Sequence, residues 1–443
     1  MKKVIRYLSL IMVLVLGMTM ISGCASDEEE IEFSEDMQPF TLKVGLPIDD
    51  SVDNWADWEY LLNDWIDQFK NYENVTLEFT TIPTDEDELD DFMSDVDSGD
   101  IACFLSGEAE WIDELIEDKS LISLGDMRYR YVTLMETATD TIFTLSQEKD
   151  LSNYKIPVYG SYQGLYYNRT LFKELKLENP TSWENVMKAV EVLNKEGYTP
   201  IAAGFEDEGF DYFMEEMVLS EGGTAEHSYM PSFGVISSWE RAVQDVKTLQ
   251  KAGAFTKDCY NTSFDTAVDS FLNGEAAMIV APSDAFGGQL SEDDVKVVGF
   301  PNTPTGKRED GAFIGELSNG IYVSKSFFND SDTRYADEVI LLINDYFLSG
   351  EFYELVKDES TLSASMTYYD DYSTTNMDAA RGKLIKESVA ADWSMRRYAH
   401  TYDSIMDGFR KAVLSKKPAD ELQKVTDIEI KAAEKAAAEK EDE

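Results

Sequence analysis

GSYQGLYYNRTLFKELKLENPTSWENVMKAVEVLNKEGYTPIAAG, residues 160–204, holds a complete helix with a strand behind it. Pro180 stands just ahead of Thr181, and Thr181 with Glu184 has the spacing of a capping box, which satisfies the free N–H groups of a first helical turn. Trp183, Val186, Met187, Val190 and Leu193 recur on one helical face. Gly197 then supplies a residue that accepts the left-handed conformation at a helix end. TPIAAGF (199–205) follows as the strand, so this part of the chain reads as an α/β unit.

The same alternation extends upstream. TLKVGLPI (41–48) is a strand by its apolar and β-branched content. Trp58, Leu61, Leu62, Trp65, Ile66 and Phe69 then line one face of an amphipathic helix, which makes Trp58 and Trp65 core residues. In NVTLEFTTIP (74–83), Val75, Leu77 and Phe79 alternate with polar residues, a strand pattern. An acidic helix at 85–97, the strand DIACFLS and a helix from about Glu110 complete a βαβαβα order. That order predicts a mainly parallel, doubly wound sheet. Downstream, a helix at 263–273 stops at Gly274, AAMIVAPSD (276–284) is a buried strand running into a loop, and VKVVGFP (295–301) is another strand. Beyond residue 335 the chain is mostly helical and ends in an acidic tail. Trp183 and Trp239 read as helix packing residues. Without residues 1–23, roughly 420 residues remain, too many for one core, and two lobes are expected.

The N-terminus has a separate logic. Lys2, Lys3 and Arg6 precede a nearly unbroken apolar run at 7–21, the n- and h-regions of a signal peptide. The run is shorter than the ~20 residues of a spanning helix. Ile21-Ser22-Gly23-Cys24 closes it and resembles the lipobox of bacterial lipoproteins. The alternative is an ordinary signal peptide with an incidental cysteine; the ordered n-region, h-region and box favour the lipobox. The resemblance implies lipid on Cys24, and a membrane anchor needs more than one acyl chain. Residues 24–38 then form an acidic tether.

The sequence carries 38 basic and 87 acidic residues, a net charge of −49, against an aromatic content of 12% that fits a folded protein. Such a surface argues against nucleic acid, whose binding rests on basic patches. Beyond that it implies solubility rather than a function. Cys103 lies in an apolar run and Cys259 in a polar one, and whether they pair is open. His227 and His400 have no metal-ligand spacing, and DVDSGD (95–100) places its glycine too early for a calcium loop. No metal or cofactor is expected.

Three stretches resemble the carbohydrate-type extracellular solute-binding proteins of bacterial ABC transporters. In the first, Gly164, Tyr166, Tyr167, Asn168, Pro180 and Trp183 fit the family pattern. In SFDTAVDSFLNGEAAMIVAPS (263–283), Phe271, Gly274, Ala276, Ala277 and Met278 fit a second. FPNTPTGKREDGAFIGELSNGIYVSKSF (300–327) is similar to the proline loop and glycine-rich return strand. The resemblance spans essentially residues 40–435. It implies a two-lobed, periplasmic-binding-protein-like α/β fold with a hinge between the lobes: lobe one at 39–153 and 300–345, lobe two at 154–299 and 346–443. It further implies a monomer that delivers a sugar to permease subunits from the outer face of the membrane, with no nucleic acid involved.

Open α/β sheets bind ligands beyond the carboxyl ends of their strands. Those ends offer Asp53, Asn54 and Trp55; Glu108, Glu110 and Trp111; and Ser283, Asp284 and Phe286. The crossing segment adds Tyr162 and Gln163, the return strand Glu316 and Ser318, and the late helical part Trp393. Aromatic faces suit the apolar side of a sugar ring and carboxylates its hydroxyls. Trp55 and Trp111 read equally well as packing residues. A secreted glycosidase using paired carboxylates is the rival enzyme reading, but no Gly-x-Ser-x-Gly, His-Glu-x-x-His or Walker pattern is present. A binder of peptide or polyamine, or a sensor presenting its ligand to a receptor, are further alternatives.

Overall fold

The computed structural model describes residues 40–49, 51–52, 54–70, 75–107, 109–130, 154–287, 289–290, 294–310, 312–329, 339, 342–356, 362–363 and 394–442. Cys24, the tether, Asp53, Glu108 and Trp393 lie outside them. Nine strands occur among the described residues: β1 (Phe40–Leu46), β2 (Val75–Thr81), β3 (Cys103–Ser106), β4 (Lys155–Asn168), β5 (Thr199–Ala202), β6 (Ala276–Pro282), β7 (Val295–Val298), β8 (Gly315–Val323) and β9 (Leu362–Ser363). Their order is β2-β1-β3-β8-β4-β6-β5, with β7 and β9 also on β4.

β1 runs parallel to β2 and β3, and β5 parallel to β6. β8 is antiparallel to β3 and β4, and β4 antiparallel to β6 and β7. Each sheet is therefore mixed rather than mainly parallel. The cause is the crossing strands, since a strand that carries the chain to the other sheet runs against one that brings it back. β4 is long enough to serve both: Lys155–Tyr162 lies along β8, and Gln163–Asn168 along β6 and β7.

Helices cover the sheets. Trp58, Trp65 and Phe69 of the helix Trp55–Phe69 are buried, as their spacing requires. The Trp65 ring meets Tyr346 at 5.2 Å and Phe347 at 5.3 Å between centroids. A second core gathers Met214, Met217 and Val218 of the helix Glu208–His227 with Trp239 and Phe409. Cys103 belongs to the first core and Cys259 to the second; both are free and buried, so they do not pair. Burial pushes the Cys103 thiol up to about 12, leaving it a small apolar residue.

The helix Trp183–Glu196 shows one local shift. Its cap is Ser182, whose Oγ accepts from Asn185 N at 3.2 Å, not Thr181. Thr181 N instead donates to Asn179 O, closing a turn ahead of the helix. Gly197 ends the helix at φ +87°, in the left-handed region.

Candidate ligand-binding site

β4 and β8 carry four of the described site candidates, Tyr162, Gln163, Glu316 and Ser318. Ser161 stands opposite Glu316, Tyr159 opposite Asn319 and Tyr162 opposite Gly315. At the end of β3, a side chain on Gly107 would lie 3.3 Å from Asn319 Oδ1, so the β3 end meets the β8 face carrying Ser318 and Asn319. Ser318 Oγ pairs with Asn319 Nδ2 at 3.2 Å, and its carbonyl accepts from the buried Lys155 Nζ at 3.2 Å.

The other half of β4 is tied to the β6 end. Tyr162 N donates to Ser283 Oγ at 3.1 Å, and Gln163 Nε2 to the Tyr212 carbonyl at 2.7 Å. Asp284 sits next to Ser283 in the 3-10 turn Ser283–Phe286 and is exposed. Burial pushes the Tyr212 hydroxyl up to about 12, with the charges of Glu208 and Asp284 adding to it. A half-buried ring and an exposed carboxylate thus lie at one strand end, with the Gln163 amide and the Ser283 hydroxyl buried beneath them. Tyr212 was not among the expected residues, although a signal existed: β5 also ends here, and the chain from its carboxyl end leads directly to Tyr212.

Other candidates turn inward. Phe286, expected on the cleft wall, is 1% exposed, its ring 4.7 Å from Tyr166 and 6.0 Å from Phe271. The 3-10 turn folds it back onto the sheet, where an apolar ring is most stable. Tyr162 is likewise 1% exposed. Trp111 is half-buried against Phe104 and Phe92, at 5.2 and 6.0 Å, so packing takes most of its ring. Glu110 opens the helix Glu110–Glu117 and is exposed. Asn54 stands just ahead of the helix Trp55–Phe69 without a side-chain capping bond, its Nδ2 donating instead to Leu355 O at 3.4 Å, while Trp55 is half-buried against the first core.

The surroundings are acidic and partly dehydrated. Burial pushes the Asp211 carboxyl up to about 7 despite the Arg410 guanidinium 3.7 Å away. Among the described residues, no group of three His, Cys, Asp or Glu could hold a metal ion. Two concavities lie elsewhere: one of about 390 Å³ beside Asn168, Tyr198 and Asp294, another of about 530 Å³ beside Arg241, Asp245 and Leu422. Neither includes any of the candidates above.

Residues 53–326, more than half of the chain, match the family model of the bacterial extracellular solute-binding proteins. The chain belongs to that family. A relative in Streptococcus mutans serotype c (strain ATCC 700610 / UA159), the multiple sugar-binding protein, is 27% identical over 165 residues. That match spans 34% of this chain and 39% of the relative, well under two thirds of its length. Among solved structures, a probable secreted solute-binding lipoprotein from Streptomyces coelicolor has a TM-score of 0.67 at 14% identity, covering 88% of this chain and 98% of the other. Apo RafE from Streptococcus pneumoniae has a TM-score of 0.64 at 13% identity, covering 90% and 100%; RafE in complex with raffinose has a TM-score of 0.57 at 12% identity, covering 89% and 99%. At these identities the likeness is one of fold, and it makes this solute-binding protein two-lobed. The family is extracellular, and no described helix is long and apolar enough to cross a membrane.

Proposed function

We propose that this solute-binding protein captures a sugar or oligosaccharide between its lobes and delivers it to the permease subunits of an ABC importer. The observation that carries the reading is the strand end at which the exposed Asp284 and the half-buried Tyr212 sit on the buried Ser283 and Gln163, held by the Tyr162–Ser283 and Gln163–Tyr212 hydrogen bonds. An aromatic body with a few aimed polar groups is how small-ligand sites are built. The multiple sugar-binding relative and the raffinose complex of RafE support a carbohydrate over other solutes. The lobes divide near 39–153 with 300–345 and 154–299 with the C-terminal helices, and residues 346–353, expected in lobe two, go with lobe one, where Phe352 packs on Trp58 and Trp65. A diacylglyceryl group on Cys24 holds the monomer at the outer face of the membrane, and Asn54, Glu108, Glu110, Glu316, Ser318 and Trp393 complete the cleft. The protein binds and releases its sugar unchanged.

The test is a thermal-shift panel of mono- and oligosaccharides, peptides and polyamines on the purified mature chain. A ligand at one hundred times its Kd adds about 2.7 kcal/mol of stability, enough to raise the melting temperature by several degrees. A panel in which only peptides or polyamines raise it would move the function to that solute class.

A further inference from the structure

Asp211 and Glu215 lie four residues apart on the helix Glu208–His227, and so share a face. Glu215 is only 2% exposed. Its Oε1 accepts from Ser394 Oγ at 2.6 Å and Tyr402 Oη at 2.5 Å, and its Oε2 from Met395 N at 3.0 Å. His227 Nε2 stands 3.6 Å from Oε2. Burial raises the Glu215 pKa, but these hydrogen bonds and His227 outweigh it, and the carboxyl is held below the usual glutamate range. It is a carboxylate, an acceptor only, and Ser394, Met395 and Tyr402 all belong to the short stretch 394–402. The helix therefore grips that stretch at one point.

The gripped stretch presents Arg396. Its N donates to the same Ser394 Oγ at 3.2 Å, and its guanidinium carbon lies 4.8 Å from the centre of the Tyr402 ring. The side chain is exposed, and its positive charge is felt by both Asp211 and Tyr212. Around Tyr212 the other such charges are acids: Glu208, Asp211 and Asp284. Carboxylates accept from sugar hydroxyls, but a ring oxygen or a hydroxyl lone pair needs a donor. A guanidinium offers five donors in a fixed plane, and Tyr402 beneath it limits how it can turn.

We propose that Arg396 is a ligand-contacting donor on the second lobe's wall, and that Glu215 is the positioning residue that fixes its turn. The proposal rests on the sugar-binding reading.

The test compares Arg396→Gln, Arg396→Lys and Glu215→Gln with Val246→Ala, a core change in the helix Ser237–Ala252. Two quantities are read on each: hydrogen exchange of residues 394–402 without ligand, and calorimetric affinity for whichever sugar of the panel binds wild type. Arg396→Gln is expected to weaken binding about tenfold or more, with melting and exchange unchanged. Arg396→Lys recovers part of that loss. Glu215→Gln raises exchange across 394–402 by about tenfold or more and weakens binding, whereas Val246→Ala lowers the melt but moves neither readout. Unchanged affinity in Arg396→Gln overturns the donor role, and unchanged exchange in Glu215→Gln overturns the positioning role. If no sugar binds wild type, the sugar reading falls and the donor role with it, while exchange still decides whether Glu215 holds the turn.

Discussion

A single side chain separates binding from folding in this protein. Asp284 is exposed at the β6 end and close enough to Tyr212 for its charge to act on that hydroxyl. Asp284→Asn keeps the shape and removes a charged acceptor, and a hydrogen bond to a charged group contributes about 1.5–3 kcal/mol. Sugar affinity is expected to fall roughly ten- to a hundredfold, with the unliganded melt unchanged, by calorimetry and melting of the same preparation. Trp65→Ala has the opposite profile. Its ring is 2% exposed among Tyr346, Phe347 and Phe352, so its loss costs about 3–5 kcal/mol of stability. Equal effects of the two variants on affinity would mean that Asp284 is not on the ligand wall. The sequence made Trp65 legible because helical periodicity reports which face is buried. It did not make Phe286 legible: a strand-end position says that a loop begins, and only the 3-10 turn decides that this ring folds back onto Tyr166. Arg396 was hidden for a related reason, since its place depends on Glu215 holding a segment 179 positions away.

The elements that matter most are β4 and β8, the pair through which both lobes are built. Their register shifts between Pro157 and Tyr159 and again between Tyr159 and Ser161, and bulges of this kind bend a strand and increase its twist. Gly160 lies inside the bent region, where a Cβ would overlap the Glu316 carbonyl and approach Leu317 Cα to 2.5 Å. Gly160→Ala is expected to destabilise by about 1–3 kcal/mol, the usual cost of overpacking, and to change sugar affinity as well, because the same residues carry the site. Chemical denaturation and calorimetry on that variant check both. By contrast, Ser182→Ala removes one helix cap in the second lobe and should cost about 1 kcal/mol without touching affinity. Element types along the first half followed from apolar spacing, and the helix boundaries came within a residue or so. Strand direction followed for β1, β2 and β3, which are parallel, but not for the pairs made by β4 and β8, because β–α alternation implies parallel neighbours only while consecutive strands stay in one sheet, and β4 and β8 leave theirs.

At the scale of the whole molecule, stability is a question of charge. The chain carries −49, and self-repulsion of that size opposes compactness. Burial holds Asp211 and Asp245 at about 7, Asp245 helped by its hydrogen bond to Glu221. The folded chain therefore binds protons there that the unfolded chain lacks, and stability rises as pH falls through about 7 toward about 4. Glu215, Glu226 and Glu429 have the opposite sign. Burial raises each, but hydrogen bonds chiefly from His227, Lys307 and the His400 backbone outweigh it and lower them. Their contribution is complete above the ordinary glutamate range and is lost as pH drops through their lowered values. Denaturant midpoints should thus be higher at about pH 5.5 than at about pH 8, and fall again at about pH 3. A midpoint that climbs steadily from acid to alkali would show that the buried aspartates do not set the trend.

The central claim is capture of an intact sugar, and calorimetric titration followed by recovery of the ligand tests it most directly. The mature chain should bind its sugar at one site per molecule, show a negative heat-capacity change as apolar surface is buried, and release that sugar chemically unchanged after prolonged incubation. Recovery of a cleaved or otherwise altered sugar would contradict the account, because the protein would then be an enzyme.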